Sequence, residues 1–362
     1  MKIAFDNQIF GLQRSGGISR YFVELANAIK EIEIDLDIRI ISPIHFNRYL
    51  NQRKEDKNIY IPRSTEKLNF NKNIRNISTA LARLYLNVFD PDLIHETFYS
   101  PIDLWQNKYP RVITVFDLIR EKQGVSNTRL INKRTSIERA EKIICISEST
   151  QNDLLKFYDV NPSNVSVIHL GVRREFFDSL NNKERKKQIL FVGQRADYKN
   201  FPLLLEAFAK FSQDLTEYRL VCFGGGEFTR DEFNKIVNLG LEDKVTQFGG
   251  DDVLLRRTYN ESEIFVSTSL DEGFGLPILE ALASRVKVVC SDLSVYREIG
   301  ANVVEYFDPF DAESLANTLS RTIENSIHDS KVLEDGVERS RRFTWESCAL
   351  KTLKVYDSVI KL

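Results

Sequence analysis

The stretch Ile264–Cys290, IFVSTSLDEGFGLPILEALASRVKVVC, decides the fold. Ile264–Ser267 is a short apolar run of the strand type. A polar turn containing Gly273 and Gly275 follows it, and Pro277–Ala283 then has the residues of a helix. Val286–Cys290 is again a β-branched, strand-like run. Strand, helix and strand in so few residues read as a parallel βαβ unit. The same alternation extends outward, with strands expected at Ile189–Val192, Arg219–Phe223 and Val245–Phe248 and a helix at Pro202–Phe211.

The N-terminal half repeats the pattern. Lys2–Asp6 is strand-like, and Ile18–Lys30 carries apolar residues at the 3.6-residue period (Ile18, Tyr21, Phe22, Leu25, Ala26, Ile29). Asp37–Ser42, Leu93–His95, Arg111–Phe116, Lys142–Ile146 and Val165–His169 are further strands, and Ser149–Tyr158 is a helix. Asn181–Gln188, NNKERKKQ, is charged and without apolar rhythm, and reads as a linker. The expected class is α/β: two doubly wound parallel-sheet domains, residues 1–180 and 181–344, facing a cleft. Ligands in such sheets sit at the carboxyl ends of the strands.

Composition narrows the function. The 362 residues are 42% hydrophobic and 28% charged, which excludes collagen-like, mucin-like and wholly disordered chains. A formal net charge of −2 removes the strongest argument for nucleic acid. That total hides an asymmetry: residues 1–180 hold 26 Lys+Arg against 22 Asp+Glu, and the remainder 24 against 30. Residues 48–83 alone hold nine basic residues against three acidic ones. Such a stretch suits an anionic membrane surface or a phosphate-bearing acceptor, or it is a solvated face. Cys145, Cys222, Cys290 and Cys348 are scattered without metal-ligand spacing, and three lie in apolar runs as small hydrophobes. Neither a signal-like apolar core near the N-terminus nor an apolar run of about 18 residues occurs, so a cytoplasmic protein is expected, at most peripheral to a membrane.

Three motifs carry chemistry. In Glu272–Gly–Phe–Gly–Leu–Pro–Ile–Leu–Glu280, two glutamates bracket a glycine turn and a helix start marked by Pro277. Gly273 and Gly275 let backbone approach a ligand, and amides of a helix start suit phosphate. In Phe191–Val–Gly–Gln–Arg195–Ala–Asp–Tyr–Lys199, a strand end is followed by two cations able to grip phosphate oxygens. Gly16–Gly17 and Gly224–Gly225–Gly226 stand after strands, where flexible turns and ligand loops look alike. The lack of GxGxxG after the first strand argues against a dinucleotide cofactor. His95 ends a strand where cleft residues are expected, whereas His169 reads as structural.

Taken together, these residues resemble the retaining glycosyltransferases of family 4, group 1, with the GT-B fold of two Rossmann-like domains. The resemblance runs nearly end to end. It takes in Gly16–Gly17, His95, Thr114–Val–Phe–Asp117, Cys145–Ile–Ser147–Glu–Ser–Thr150, Gly171, Arg195 with Lys199, Gly224–Gly225, Phe248–Gly249, Glu272 to Glu280, and Phe343–Thr–Trp345–Glu. It implies a nucleoside-diphosphate sugar as donor, GDP-mannose foremost, with no cofactor and no metal. Arg195 and Lys199 would neutralise the diphosphate, touched also by Gly16, Gly17 and Gly224. Glu272 would meet the sugar hydroxyls, Glu280 the ribose, and the backbone of Gly273, Phe274, Gly275 and Leu276 the sugar and phosphate. His95 would lie beside the transferred sugar, with Asp117 and Ser147 on the acceptor side. A final helix, about 345–362, would pack back on the first, acceptor-binding domain, leaving the second to bind the donor. The family often has His before the aspartate where this chain has Phe116. The implied activity is mannosyl transfer to a glycan or lipid-linked acceptor in O-antigen or other surface polysaccharide assembly. A nucleotide-sugar epimerase and a non-catalytic sugar-binding relative are the alternatives. Intact Arg195, Lys199, Glu272 and Glu280 argue against the non-catalytic relative.

Overall fold

The computed structural model describes residues 1–51, 59–60, 72–100, 108–124, 128–178, 185–195, 197–324 and 329–360. It divides into two units, Met1–Gly171 with Trp345–Leu362, and Val172–Thr344.

The first unit is built on seven parallel strands: β1 Lys2–Phe5, β2 Asp37–Ile41, β3 Ile59–Tyr60, β4 Leu93–Glu96, β5 Arg111–Val115, β6 Lys142–Cys145 and β7 Val165–Val167, in the order β3-β2-β1-β4-β5-β6-β7. β4 and β5 are buried along their whole length, as expected of strands covered on both faces. The helix Gly17–Ile32 turns Tyr21, Phe22, Leu25 and Ile29 into the core. It packs on the last helix, Trp345–Ile360, which belongs to this unit.

The second unit has six parallel strands: β8 Lys186–Val192, β9 Arg219–Phe223, β10 Val245–Phe248, β11 Ser262–Ser267, β12 Lys287–Ser291 and β13 Glu305–Phe307, in the order β10-β9-β8-β11-β12-β13. Phe191, Phe201, Phe208, Phe211 and Tyr218 fill one side of its core with Leu204, Leu205 and Leu319. In both sheets the strand order reverses once, between β1 and β4 and between β8 and β11. These are the two switch points at which a doubly wound sheet leaves a crevice.

The domain boundary expected at 180/181 lies earlier, at 171/172. Val172 N–H donates to the Phe343 carbonyl at 3.0 Å, Arg173 pairs with Asp252, and Phe176 packs edge-on against Tyr259, so this segment is tied into the second unit. The linker reading is corrected as well. Lys186–Gln188 open β8, with Gln188 buried, while Lys186 and Lys187 pair with Glu261 and Glu217. Charged residues at the solvated start of a strand mimic a linker because their neighbours are recruited from distant segments. Residues 181–184 lie outside the described residues, as do 52–58 and 61–71 of the basic stretch.

Candidate active site

The switch point of the second unit assembles the β8 and β11 turns. β8 ends at Val192, and the chain reaches Lys199 and then Asn200, whose left-handed backbone (φ 52°) starts the helix Phe201–Asp214. Asn200 Nδ2 donates to the Pro309 carbonyl at 2.8 Å, which anchors the turn. The β11 turn lies alongside: Leu270 N–H donates to the Tyr198 carbonyl at 2.7 Å, and Thr268 Oγ1 to the Lys199 carbonyl at 2.7 Å. Both turns are therefore held by contacts to backbone carbonyls that do not involve their charged side chains.

Those side chains meet. Lys199 Nζ donates to Glu272 Oε1, and Ser269 Oγ donates to the same oxygen at 2.8 Å. The side chains of Lys199 and Glu272 are only 15% and 16% exposed. Burial alone would lower the Lys199 pKa, yet the Glu272 carboxylate outweighs it and raises the ammonium above its ordinary range. Lys199 is a fixed cation. Tyr296 stands beneath, its hydroxyl 2.7 Å from Ser267 Oγ, and burial followed by the Glu272 charge pushes its pKa well up.

Gly275 precedes the helix Leu276–Ala283 at φ 115°, with Pro277 in the first turn and no side-chain cap. A Cβ at Gly275 would come within 3.0 Å of the Tyr296 ring, so both backbone angle and space require glycine. Gly273 and Phe274 lead into this turn, and Phe274 is buried against Phe343. Glu280 lies on the same helix, 4% exposed, and accepts from Tyr259 Oη at 3.2 Å.

Arg195, expected to grip phosphate, is engaged by groups of its own unit. Its Nε donates to Glu232 at 2.9 Å, Nη1 to the Gly224 carbonyl at 3.1 Å, and Nη2 to the carbonyls of Gly226 and Glu227 at 3.0 and 2.9 Å. The guanidinium lies over Phe228, 4.8 Å from the ring centroid, and its side chain is 3% exposed. The reason is the glycine turn: Gly224, Gly225 and Gly226 have φ of 87°, 75° and 77°, which points carbonyls inward, and Arg195 satisfies them. Glu232 is held in turn by a capping box with Thr229. That Thr-x-x-Glu pattern was visible in the sequence, whereas its pairing with Arg195 was not.

The first unit corrects two further expectations. His95 is fully buried, with Nδ1 2.7 Å from Tyr356 Oη and Nε2 2.9 Å from Thr114 Oγ1. It sits edge-on to Phe5, Phe22 and Tyr356. Burial lowers its pKa to about 3, so it is a neutral core residue rather than a group beside the transferred sugar. Ser147 is the N-cap of the helix Glu148–Phe157, accepting from Thr150 N–H at 3.0 Å, so its hydroxyl serves the fold. Asp117 is half-buried after β5; its Oδ1 accepts from Ile119 N–H and its carbonyl from Lys133. Gly16 precedes the helix Gly17–Ile32 without a side-chain cap, and a Cβ at Gly17 would meet nothing within 4 Å.

All four cysteines are buried, and burial pushes Cys145, Cys222 and Cys348 up to about 12, so none of these three is a thiolate nucleophile. Among the described residues no three His, Cys, Asp or Glu side chains converge to hold a metal ion.

Two doubly wound parallel units joined in one chain, the second with a cation and a carboxylate at its switch point, define a glycosyltransferase of the GT-B class. Residues 15–176 match the family model Glycosyltransferase Family 4, and residues 172–339 match Glycosyl transferases group 1. The chain belongs to this glycosyltransferase family and is an enzyme of that kind. The O-antigen chain mannosyltransferase RfbU of Salmonella typhimurium is 26% identical over 92% of both chains. The MMP alpha-(1->4)-mannosyltransferase of Mycolicibacterium hassiacum is 27% identical over 60% of this chain and 54% of its own. In fold, the chain is similar to Anabaena Alr3699/HepE in complex with UDP and glucose, with TM-score 0.76, 17% identity, and coverage of 99% of this chain and 100% of that one.

Proposed function

We propose that this enzyme transfers a hexose, mannose first among them, from a nucleoside-diphosphate sugar of the GDP-mannose type to a hydroxyl of a glycan or lipid-linked acceptor during surface polysaccharide assembly. The observation that carries the reading is the half-buried Lys199–Glu272 pair at the switch point of the second unit. A fixed ammonium there opposes the charge that develops on a departing diphosphate, and a carboxylate accepts from sugar hydroxyls. Mannose is supported by the mannosyltransferase relatives, and O-antigen by RfbU.

In the transfer, the bond from the anomeric carbon to the diphosphate oxygen breaks and a bond to the acceptor oxygen forms. The acceptor proton passes to the departing phosphate oxygen, on the same face, which retains configuration. That route needs no protein nucleophile and no metal. Lys199 neutralises the leaving group, helped by amides around Gly275, and Arg195 keeps the Gly224–Gly226 turn in place. Glu280 holds the ribose end, and Asp117 serves the acceptor side.

The membrane part of this reading rests on the helix Lys72–Phe89. It contains no Asp or Glu, and exposes Ile77, Leu84 and Val88 at 54%, 62% and 86%. An apolar stripe beside cations suits the inner face of an anionic bilayer. No described helix is long and apolar enough to cross one.

The test is nucleoside diphosphate release from GDP-mannose, UDP-glucose and ADP-glucose, alone and with lipid-linked glycan. GDP-mannose giving the fastest release supports the reading, and no turnover with any donor removes it. Ile77→Ser with Val88→Ser should weaken sedimentation with phosphatidylglycerol vesicles, and unchanged binding removes the membrane part alone.

A further inference from the structure

We infer that the Lys199–Glu272 ion pair is a resident competitor for the donor's diphosphate, and that its exchange makes the site favour a nucleoside diphosphate carrying a sugar over the bare nucleoside diphosphate left after transfer. This rests on the donor-site reading above and adds to it a means of discharging product.

In the empty site, Lys199 is already neutralised. A phosphate that draws the ammonium to itself takes it from Glu272, which is 16% exposed and keeps only the Ser269 hydroxyl, 2.8 Å away, among the partners described for it. Removing one partner from a largely desolvated pair leaves an undercompensated charge and is unfavourable. A bare diphosphate makes this worse, because it sets new negative charge beside a carboxylate that has just lost its cation. A donor sugar changes the balance. Its hydroxyls are donors that a carboxylate accepts with charge-assisted strength, so they replace the lost ammonium.

The exchange needs only side-chain movement. The turns bearing the two residues stay joined through Leu270 N–H to the Tyr198 carbonyl and Thr268 Oγ1 to the Lys199 carbonyl, each 2.7 Å. The Ser269 hydroxyl keeps the carboxylate in place. Once the sugar has left, Glu272 is again left with the Ser269 hydroxyl alone among its described partners, and re-forming its bond to Lys199 expels the nucleoside diphosphate. Glu272 is thus a specificity-determining residue in both directions.

Isothermal titration of the wild-type chain, Glu272→Gln and Glu272→Ala with GDP, GDP-mannose, UDP and UDP-glucose tests this. The wild type should bind the sugar nucleotide more tightly than its bare diphosphate. Both variants should bind the bare diphosphate roughly tenfold more tightly than the wild type and the sugar nucleotide no better, collapsing the preference. Two variants are used so that misfolding of either one leaves the result readable. Variants that bind the bare diphosphate no more tightly than the wild type overturn the exchange while leaving the donor site intact. A wild-type chain that binds none of the four nucleotides removes the donor-site reading itself, and the exchange with it.

Discussion

The two switch points of this chain have the same topology and opposite electrostatics. Between β8 and β11, the turns carry Lys199 against Glu272, a full cation and a carboxylate that retain partial access to solvent. Between β1 and β4, Asp6 is fully buried and accepts from Thr97 N–H at 3.1 Å and from the Thr97 hydroxyl, while His95 is sealed beneath by Tyr356 and Thr114. Burial raises the Asp6 pKa despite those hydrogen bonds. One crevice holds an ion pair, and the other polar groups satisfied by internal hydrogen bonds. Equivalent positions in a repeated topology thus differ in how their polar groups are satisfied, by an ion pair in one and by hydrogen bonds in the other.

The largest expected effect breaks or confirms that contrast directly. Lys199→Gln should lower kcat/KM for the donor by roughly 100- to 1000-fold, about 3–4 kcal/mol, measured as nucleoside diphosphate release. His95→Gln should leave the KM for donor unchanged in the folded protein. An equal loss of turnover in both would erase the distinction between the crevices.

Arg195→Leu should cost about 3 kcal/mol of stability in urea unfolding, because it removes one donor from Glu232 and one from each of the Gly224, Gly226 and Glu227 carbonyls. Full stability together with lost donor affinity would return Arg195 to the phosphate.

A smaller effect follows from His95, held neutral at about 3 against an ordinary 6.5. The unfolded chain takes up a proton below pH 6.5 that the folded chain refuses, so stability is lost as pH falls through the window from 6.5 towards 3. From pH 7 to pH 5 the loss should be about 2 kcal/mol, present in the wild type and missing from His95→Gln in paired denaturant titrations. Tyr356→Phe, which removes the hydroxyl 2.7 Å from His95 Nδ1, should cost about 1 kcal/mol and leave the donor site unaffected.

Much of this architecture was legible because it is written in local patterns. The strand-like runs and the apolar rhythm of residues 18–30 are set by which residues face a core, and they reappear in β1, β8, β11 and the helix Gly17–Ile32. Gly275 and Pro277 mark a helix start through backbone restrictions that belong to those residues alone. The motif cations and carboxylates were visible too, but not their partners. Arg195 and Lys199 look alike in sequence, four residues apart, yet one is consumed by a glycine turn and the other by a glutamate 73 positions away. Ser147 looked like a pocket hydroxyl and is a cap, a role set by a helix that begins one residue later.

By itself, then, the sequence determined the alternation of strands and helices, the two sheets and the candidate groups at their carboxyl ends. Those features depend on periodicity and on φ preferences carried by single residues. Only the tertiary structure decided how each polar group is used: His95 sealed, Arg195 committed to carbonyls, Lys199 paired with Glu272. Hydrogen bonds and ion pairs are made between segments far apart in the chain. Which donors remain for a ligand depends on which acceptors the fold has already left needing one.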